Sequence, residues 1–195
     1  MNIFVTEQTE FGPTPVDIYS RLADDRILFI YDFIDDNLAT DIVASLLLKD
    51  AQSNTEKVTL LINCEGGDIR NVFMIYDIMN MIECPKETIC VGSACDEAVL
   101  LLAAGTKGMR FATQTSAICP SQLMADRAYH SNLTDAKGIM DRFKRDNKNY
   151  MNALAKATGN SLSKLMSDFE RKKFFSPKEA LSYGFIDGIV QGSKK

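Results

Sequence analysis

An α/β fold with a parallel sheet is what this 195-residue sequence predicts, on three observations. Short apolar, β-rich runs alternate with helical stretches along the chain, the pattern of strand-helix-strand units. The run VTLLIN (58–63) is apolar almost throughout, as in a strand covered on both faces. Glycines close two of these runs just before a helical stretch, at Gly66-Gly67 and at Gly92, and open α/β sheets gather their ligand sites at such strand ends.

The elements follow in order. The start is irregular, broken by Gly12, Pro13 and Pro15, and residues 17–22 turn helical. RILFIY (26–31) is a β-rich strand. Asp35, Asp36 and Asn37 offer N-caps for a helix running to Leu48, with Leu38, Ile42 and Leu46 as its apolar stripe. After VTLLIN and the Glu65-Gly66-Gly67 turn comes a helix from about Ile69 to Met81. Pro85 breaks the chain, 88–92 is a short strand, and 98–104 is a helix ended by Gly105. Strands over 109–112 and 116–119 precede a long helix, 137–158, stopped by Gly159. Its apolar stripe, Ile139, Phe143, Tyr150, Met151 and Leu154, is broken, and its remainder is charged, as in a helix that projects or meets a partner. Pro177 opens a short helix, PKEALSYG, and 186–190 is the closing strand. With no linker in sight, residues 1–195 read as one domain.

Composition narrows the function. A net charge of -4 leaves no broad basic field for phosphate backbones, so nucleic acid is not an expected partner. No apolar run reaches the ~18 residues that span a bilayer, and the N-terminus lacks the pattern of a secretion signal. The expected location is the cytoplasm, or an organelle stroma if a transit peptide has been removed. Five cysteines, with no CxxC pair, argue against a disulfide framework and a zinc site, and fit a reducing compartment.

Local chemistry leaves alternatives open. A Gly-Gly turn exposes N–H groups with no Cβ in the way, which suits an oxyanion hole, but also suits a plain tight turn. Asp96 and Glu97 are adjacent, and helical neighbours point ~100° apart. An N-cap role for Asp96, with Glu97 at the positive helix end, therefore stands ahead of an acid/base pair. The lone histidine, His130, sits in the polar stretch RAYHSN and reads as a solvated loop residue. GxGxxG, P-loop, HExxH and GxSxG motifs are all missing, so no cofactor or metal is expected.

Several segments, in this order, carry a resemblance: DIYSRL with RILFI (17–30), LINCEGGDI (61–69), IYDIM (75–79), TICVGSACDEAVLLLAAGTKGMR (88–110) and FFSPKEALSYGFID (174–187). They resemble the proteolytic subunit family of the Clp protease, ClpP, nearly end to end. The resemblance implies a ClpP/crotonase-type spiral of strand-helix units with a projecting handle helix. Residues 1–20 would form an axial segment and about 123–158 the handle. Members of the family that cleave peptides use Ser, His and Asp. Laid on this chain, the serine position falls four residues after Gly92, at Asp96; the histidine position falls at Ser121 and the aspartate position at Lys172. Gly67 and the backbone N–H of Glu97 match the oxyanion hole, with Glu97 contributing nothing more.

Loss of one essential triad member costs on the order of 10^6 in turnover, and a carboxylate at Asp96 would oppose an oxyanion forming beside it. A triad relocated to Ser93 or Cys95 would need His130, nine residues past the family's histidine position. A Ser121/Lys172 dyad is nearer to hand, but Asp96 beside Lys172 points to an ion pair that plugs the site. Thr59, Leu61 and Met81 stand where the family docks loops of AAA+ ATPases, and are less aromatic than is usual there. LMADRAY (123–129) replaces a glycine-rich handle strand, and Glu170 and Arg171 stand where rings stack. The function implied is a catalytically inactive subunit in heptameric rings, stacked to a tetradecamer and mixed with an active ClpP paralogue, with polypeptide substrates met only through the complex. A homo-oligomeric chamber without protease activity, and a crotonase-like or rearranged Ser/Lys hydrolase, are the alternatives.

Overall fold

A computed structural model describes residues 3–10, 12–124 and 133–191. The chain opens not irregularly but as a hairpin: β1 (Phe4–Thr9) pairs antiparallel with β2 (Gly12–Asp17). Pro13 and Pro15 are tolerated because each strand of a two-stranded ribbon is an edge, and alternation puts both prolines on the same side. In α1 (Ile18–Asp24) Asp17 is the N-cap, accepting from the N–H groups of Tyr19 and Ser20.

β3 (Ile27–Ile34) leads into α2 (Asp36–Gln52), where Asp35 caps by accepting from the Leu38 N–H at 2.8 Å. β4 (Val58–Gly67), α3 (Ile69–Met81) and β5 (Lys86–Cys95) complete two parallel units. α4 (Ala98–Ala103) is buried at every residue. β6 (Arg110–Thr113), β7 (Ala117–Cys119), α5 (Leu133–Thr158), α6 (Leu162–Asp168), α7 (Pro177–Tyr183) and β8 (Gly188–Val190) follow. Helix α5 starts four residues before the sequence expectation, and α6, capped by Ser161, was not expected at all. Ser176 and Glu179 close a capping box on α7, which ends at Gly184 with φ 95°.

The main sheet runs β3-β4-β5-β6-β8, with β7 also on β5, and every pairing is parallel. The α/β class with a parallel sheet is therefore what the chain forms. β4 departs from expectation in one respect: its burial alternates, leaving Thr59 and Leu61 half-buried on one face. Its helices cover the opposite side, so the apolar run is sheathed once, not twice. On the open face Phe29, Leu61 and Ile89 lie side by side in register, with Tyr31 and Val91 exposed nearby on their strands.

β5 is the organising strand. Its first half, Thr88 to Cys90, pairs with β6, and its second half, Ser93 to Cys95, pairs with β7. The switch occurs at Gly92, whose φ of 94° and whose neighbour Asn63 Oδ1, 2.6 Å from where a Cβ would stand, both require glycine. Below the sheet, Arg110 (1% exposed) grips Asp187 with two hydrogen bonds of 2.7 and 2.6 Å and donates to the Ala157 carbonyl at 2.9 Å. The bidentate pair ties β6 to the turn before β8, and the bond to Ala157 ties it to the end of α5.

Candidate functional site

The site grows from the end of β5. Asp96 follows Cys95 with φ 46°, in the left-handed region, which Asp tolerates better than most residues. Three contacts hold its backbone and turn. The Asp96 N–H donates to the Cys119 carbonyl at 2.8 Å, the Val99 N–H donates to the Asp96 carbonyl, and the Tyr150 hydroxyl donates to that carbonyl at 2.8 Å. Tyr150 is fully buried on α5, and burial holds its phenol well above the usual range, so it remains a donor.

The Asp96 side chain is doubly engaged. Ser121 Oγ donates to Asp96 Oδ1 at 2.7 Å, and Lys172 Nζ donates to Oδ2 at 3.1 Å. Residues 25 and 76 positions away thus converge on one carboxylate. The N-cap role expected for Asp96 is overturned: α4 starts at Glu97 as N-cap with no side-chain cap bond, because the Asp96 carboxylate points to Ser121 and Lys172 instead.

Glu97 also departs from expectation. Its part was to be a backbone N–H alone, but its carboxylate Oε2 accepts from the Gly67 N–H at 3.3 Å, and its own N–H donates to the same carboxylate. Burial raises its pKa above the ordinary value, while those two N–H groups pull the other way. Gly66 leaves room for it: a Cβ there would stand 2.7 Å from Oε2.

These groups line one wall of a 690 Å³ cleft, with Glu65, Gly67, Asp96, Glu97 and Ser121 on the polar side. Leu123, Ile139 and Phe143 supply the apolar side. The relocated nucleophiles are committed elsewhere. Ser93 Oγ donates to Glu65 Oε1 at 2.7 Å, and Cys95 is joined to Cys119 in a disulfide. That disulfide corrects the expectation of unpaired cysteines: β5–β7 register sets Cys95 opposite Cys119, a Cα–Cα distance of 4.4 Å that no linear spacing reveals. His130 and most of the segment 123–129 lie outside the described residues.

The remaining positions fall on the outer surface. Thr59 and Leu61 share the open face of β4, with the Thr59 hydroxyl donating to Glu87 at 2.9 Å, and Met81 ends α3 with 64% of its surface exposed. Glu170 and Arg171 are exposed in the loop after α6. Sequence reasoning missed Tyr150 and the Glu97 carboxylate. A buried tyrosine in an apolar stripe is itself a signal, since its hydroxyl needs a partner; nothing in the sequence marks where the Glu97 side chain turns.

Chemically, among the described residues, Asp96, Ser121 and Lys172 are engaged with one another. The Asp96 carboxylate accepts a hydrogen bond from the Ser121 hydroxyl and pairs with the Lys172 ammonium, and an acidic group occupies the N–H pair where negative charge would develop.

Comparison with known proteins gives one answer. The Clp protease family model matches residues 10–193. The chain is 38% identical over 192 residues to the ATP-dependent Clp protease proteolytic subunit of Deinococcus radiodurans, covering 98% of this chain and 93% of that protein. It is 34% identical over 190 residues to the subunit of the same name from Streptococcus uberis, covering 97% of each. An α/β chain with a parallel sheet, matched over nearly its whole length by that model and by these two proteins, belongs to the Clp protease family.

Proposed function

We propose that this chain is a catalytically inactive ClpP-like subunit of a barrel-shaped Clp protease complex. One observation carries the reading: the residue at the serine position is Asp96, and both its carboxylate oxygens are taken, by Ser121 and Lys172. A carboxylate held in that way has neither the nucleophilicity nor the proton path that acyl transfer from a peptide requires.

The subunit assembles into heptameric rings that stack, and takes its place beside an active paralogue. The apolar face of β3, β4 and β5, where Tyr31 and Val91 are exposed, supports docking of a protein partner there. In this reading residues 1–20 form an axial segment, the α5 region forms the handle, Glu170 and Arg171 meet the opposite ring, and Thr59, Leu61 and Met81 meet a AAA+ unfoldase. The whole chain acts as one domain. Polypeptide substrates are degraded only by the complex.

The test is to purify the protein alone and with a triad-bearing paralogue, measure assembly mass, and assay fluorogenic peptides. The expected result is a ring assembly with no hydrolysis alone and co-purification with the paralogue. Robust hydrolysis by the unmixed protein, abolished by a serine-directed inhibitor, would sink the reading. A stable homo-oligomer that refuses the paralogue would replace it with a homo-oligomeric chamber.

A further inference from the structure

The N–H pair of Gly67 and Glu97 is not an empty cradle. Two backbone donors placed to meet one oxygen form an oxyanion hole when a peptide carbonyl enters. Here one side chain reaches them first. Glu97 Oε2 accepts from the Gly67 N–H at 3.3 Å, the Glu97 N–H donates to the same carboxylate, and Gly66 packs so closely that a Cβ would stand 2.7 Å from Oε2. The Gly66 φ of 125° opens the turn toward that carboxylate.

We propose that Glu97 is a tethered anion that fills this cradle, closing the site by a second device independent of the Asp96, Ser121 and Lys172 positions. The inference rests on reading the cleft as that of a protease subunit, and adds a cause of inactivity that triad substitution does not contain. A carboxylate is a stronger acceptor for N–H groups than a neutral peptide carbonyl, by roughly a factor of two per bond. Because Glu97 is part of the chain, it competes at an effective concentration of ~mM or above. If a substrate carbonyl did displace it, the charge left in the cleft would still oppose the oxyanion. The displaced carboxylate would also lose two N–H partners while partly buried.

The consequence is that restoring the triad alone does not restore the site. The comparison is between Asp96→Ser/Ser121→His/Lys172→Asp and the same triple variant carrying Glu97→Leu, each assembled as the full chain and exposed to a fluorophosphonate probe with labelling of residue 96 read by mass spectrometry. Loss of one oxyanion-hole donor costs about 10^2–10^3 in rate, so the Glu97→Leu form is expected to label at least ~100-fold faster. Equal rates in the two, at any level, overturn the plug. Hydrolysis by the wild-type chain would instead overturn the inactive reading and leave the Glu97 comparison intact.

A second measurement needs no restored triad. Gly66-Gly67 is the sequence's one Gly-Gly step. Glycine labelled with carbon-13 at the carbonyl and nitrogen-15 at the amide therefore gives a single carbonyl-coupled amide signal, that of Gly67. Its shift is expected to follow one acid titration in the wild-type protein and to lose that step in Glu97→Gln. Superimposable pH profiles in the two proteins overturn the contact.

Discussion

Replacing Lys172 with alanine removes the ammonium that stands 3.1 Å from Asp96 Oδ2. Exposure sets the size of the effect. The Lys172 side chain is 41% accessible and that of Asp96 23%, so water screens the attraction, and pairs of this kind contribute ~0.2–1 kcal/mol. Asp96 is also not abandoned, because Ser121 Oγ still donates to Oδ1 at 2.7 Å. Both points cap the loss at about 1 kcal/mol, or about 2–4 °C in Tm for a chain of this length. Single variants Asp96→Asn and Lys172→Ala with their double form a cycle that isolates the pair. Its coupling, read by urea unfolding, should be ~0.5–1 kcal/mol at about 0.1 M salt and shrink near 1 M, where the Debye length falls from ~10 to ~3 Å. Zero coupling at low salt would show that the contact does no work; a coupling above ~3 kcal/mol would show a pair far drier than this one and refute the reasoning from exposure.

Asp187→Ala should cost ~3–5 kcal/mol in urea unfolding, because it strands the buried Arg110 guanidinium. Arg110 holds the Asp187 carboxyl well below its usual value, with help from the Gly108 N–H. A lowered folded pKa stabilises above the ordinary value of 3.8 and loses that contribution as pH falls through the folded value, so the gap between wild type and variant should close in strong acid. Tyr150→Phe should cost about 0.5–1.5 kcal/mol by removing one of the two donors to the Asp96 carbonyl, the Val99 N–H remaining; an unchanged midpoint would show that the turn at Asp96 does not depend on it. For Glu97 the sign is reversed: its raised pKa means stability present below the ordinary 4.5 and lost as pH rises through the folded value. Glu97→Gln should therefore be more stable than wild type at neutral pH and match it in acid, and a deficit at neutral pH would contradict the burial of its charge. Thiol titration in denaturant without reductant should find three groups, Cys64, Cys84 and Cys90, and five after reduction; five at the outset would exclude the Cys95–Cys119 bond. In the folded protein those thiols should react slowly, since burial pushes Cys64 and Cys90 up to about 11.

The helix over Ile69–Met81 and the class of the fold were legible because the alternation of runs, the turn glycines before the helix and the Pro85 break after it all point the same way. The opening hairpin was not, since Gly12, Pro13 and Pro15 read as breakers, and only pairing with β1 turns them into an edge. The length of β5 was hidden for a similar reason: Gly92 looks like an end, but the strand continues by changing partners from β6 to β7. At the site, the convergence of Asp96, Ser121 and Lys172 was approached only through resemblance, because sequence separations of 25 and 76 residues carry no distance information. The Glu97 carboxylate was beyond reach in principle. A rotamer choice between solvent and the Gly67 N–H depends on backbone donors whose direction no side-chain pattern encodes.

The left-handed turn at Asp96 separates shape from chemistry. Its backbone is held by the Cys119 carbonyl and the Tyr150 hydroxyl, neither of which touches the Asp96 carboxylate. After glycine, aspartate and asparagine visit that backbone region most readily, so the position behaves as a socket: the two can be exchanged there while the strand, the turn and the following buried helix stay in place. The chemistry at the end of β5 can therefore change by one residue at a time while the surfaces formed by the rest of the chain keep their shape.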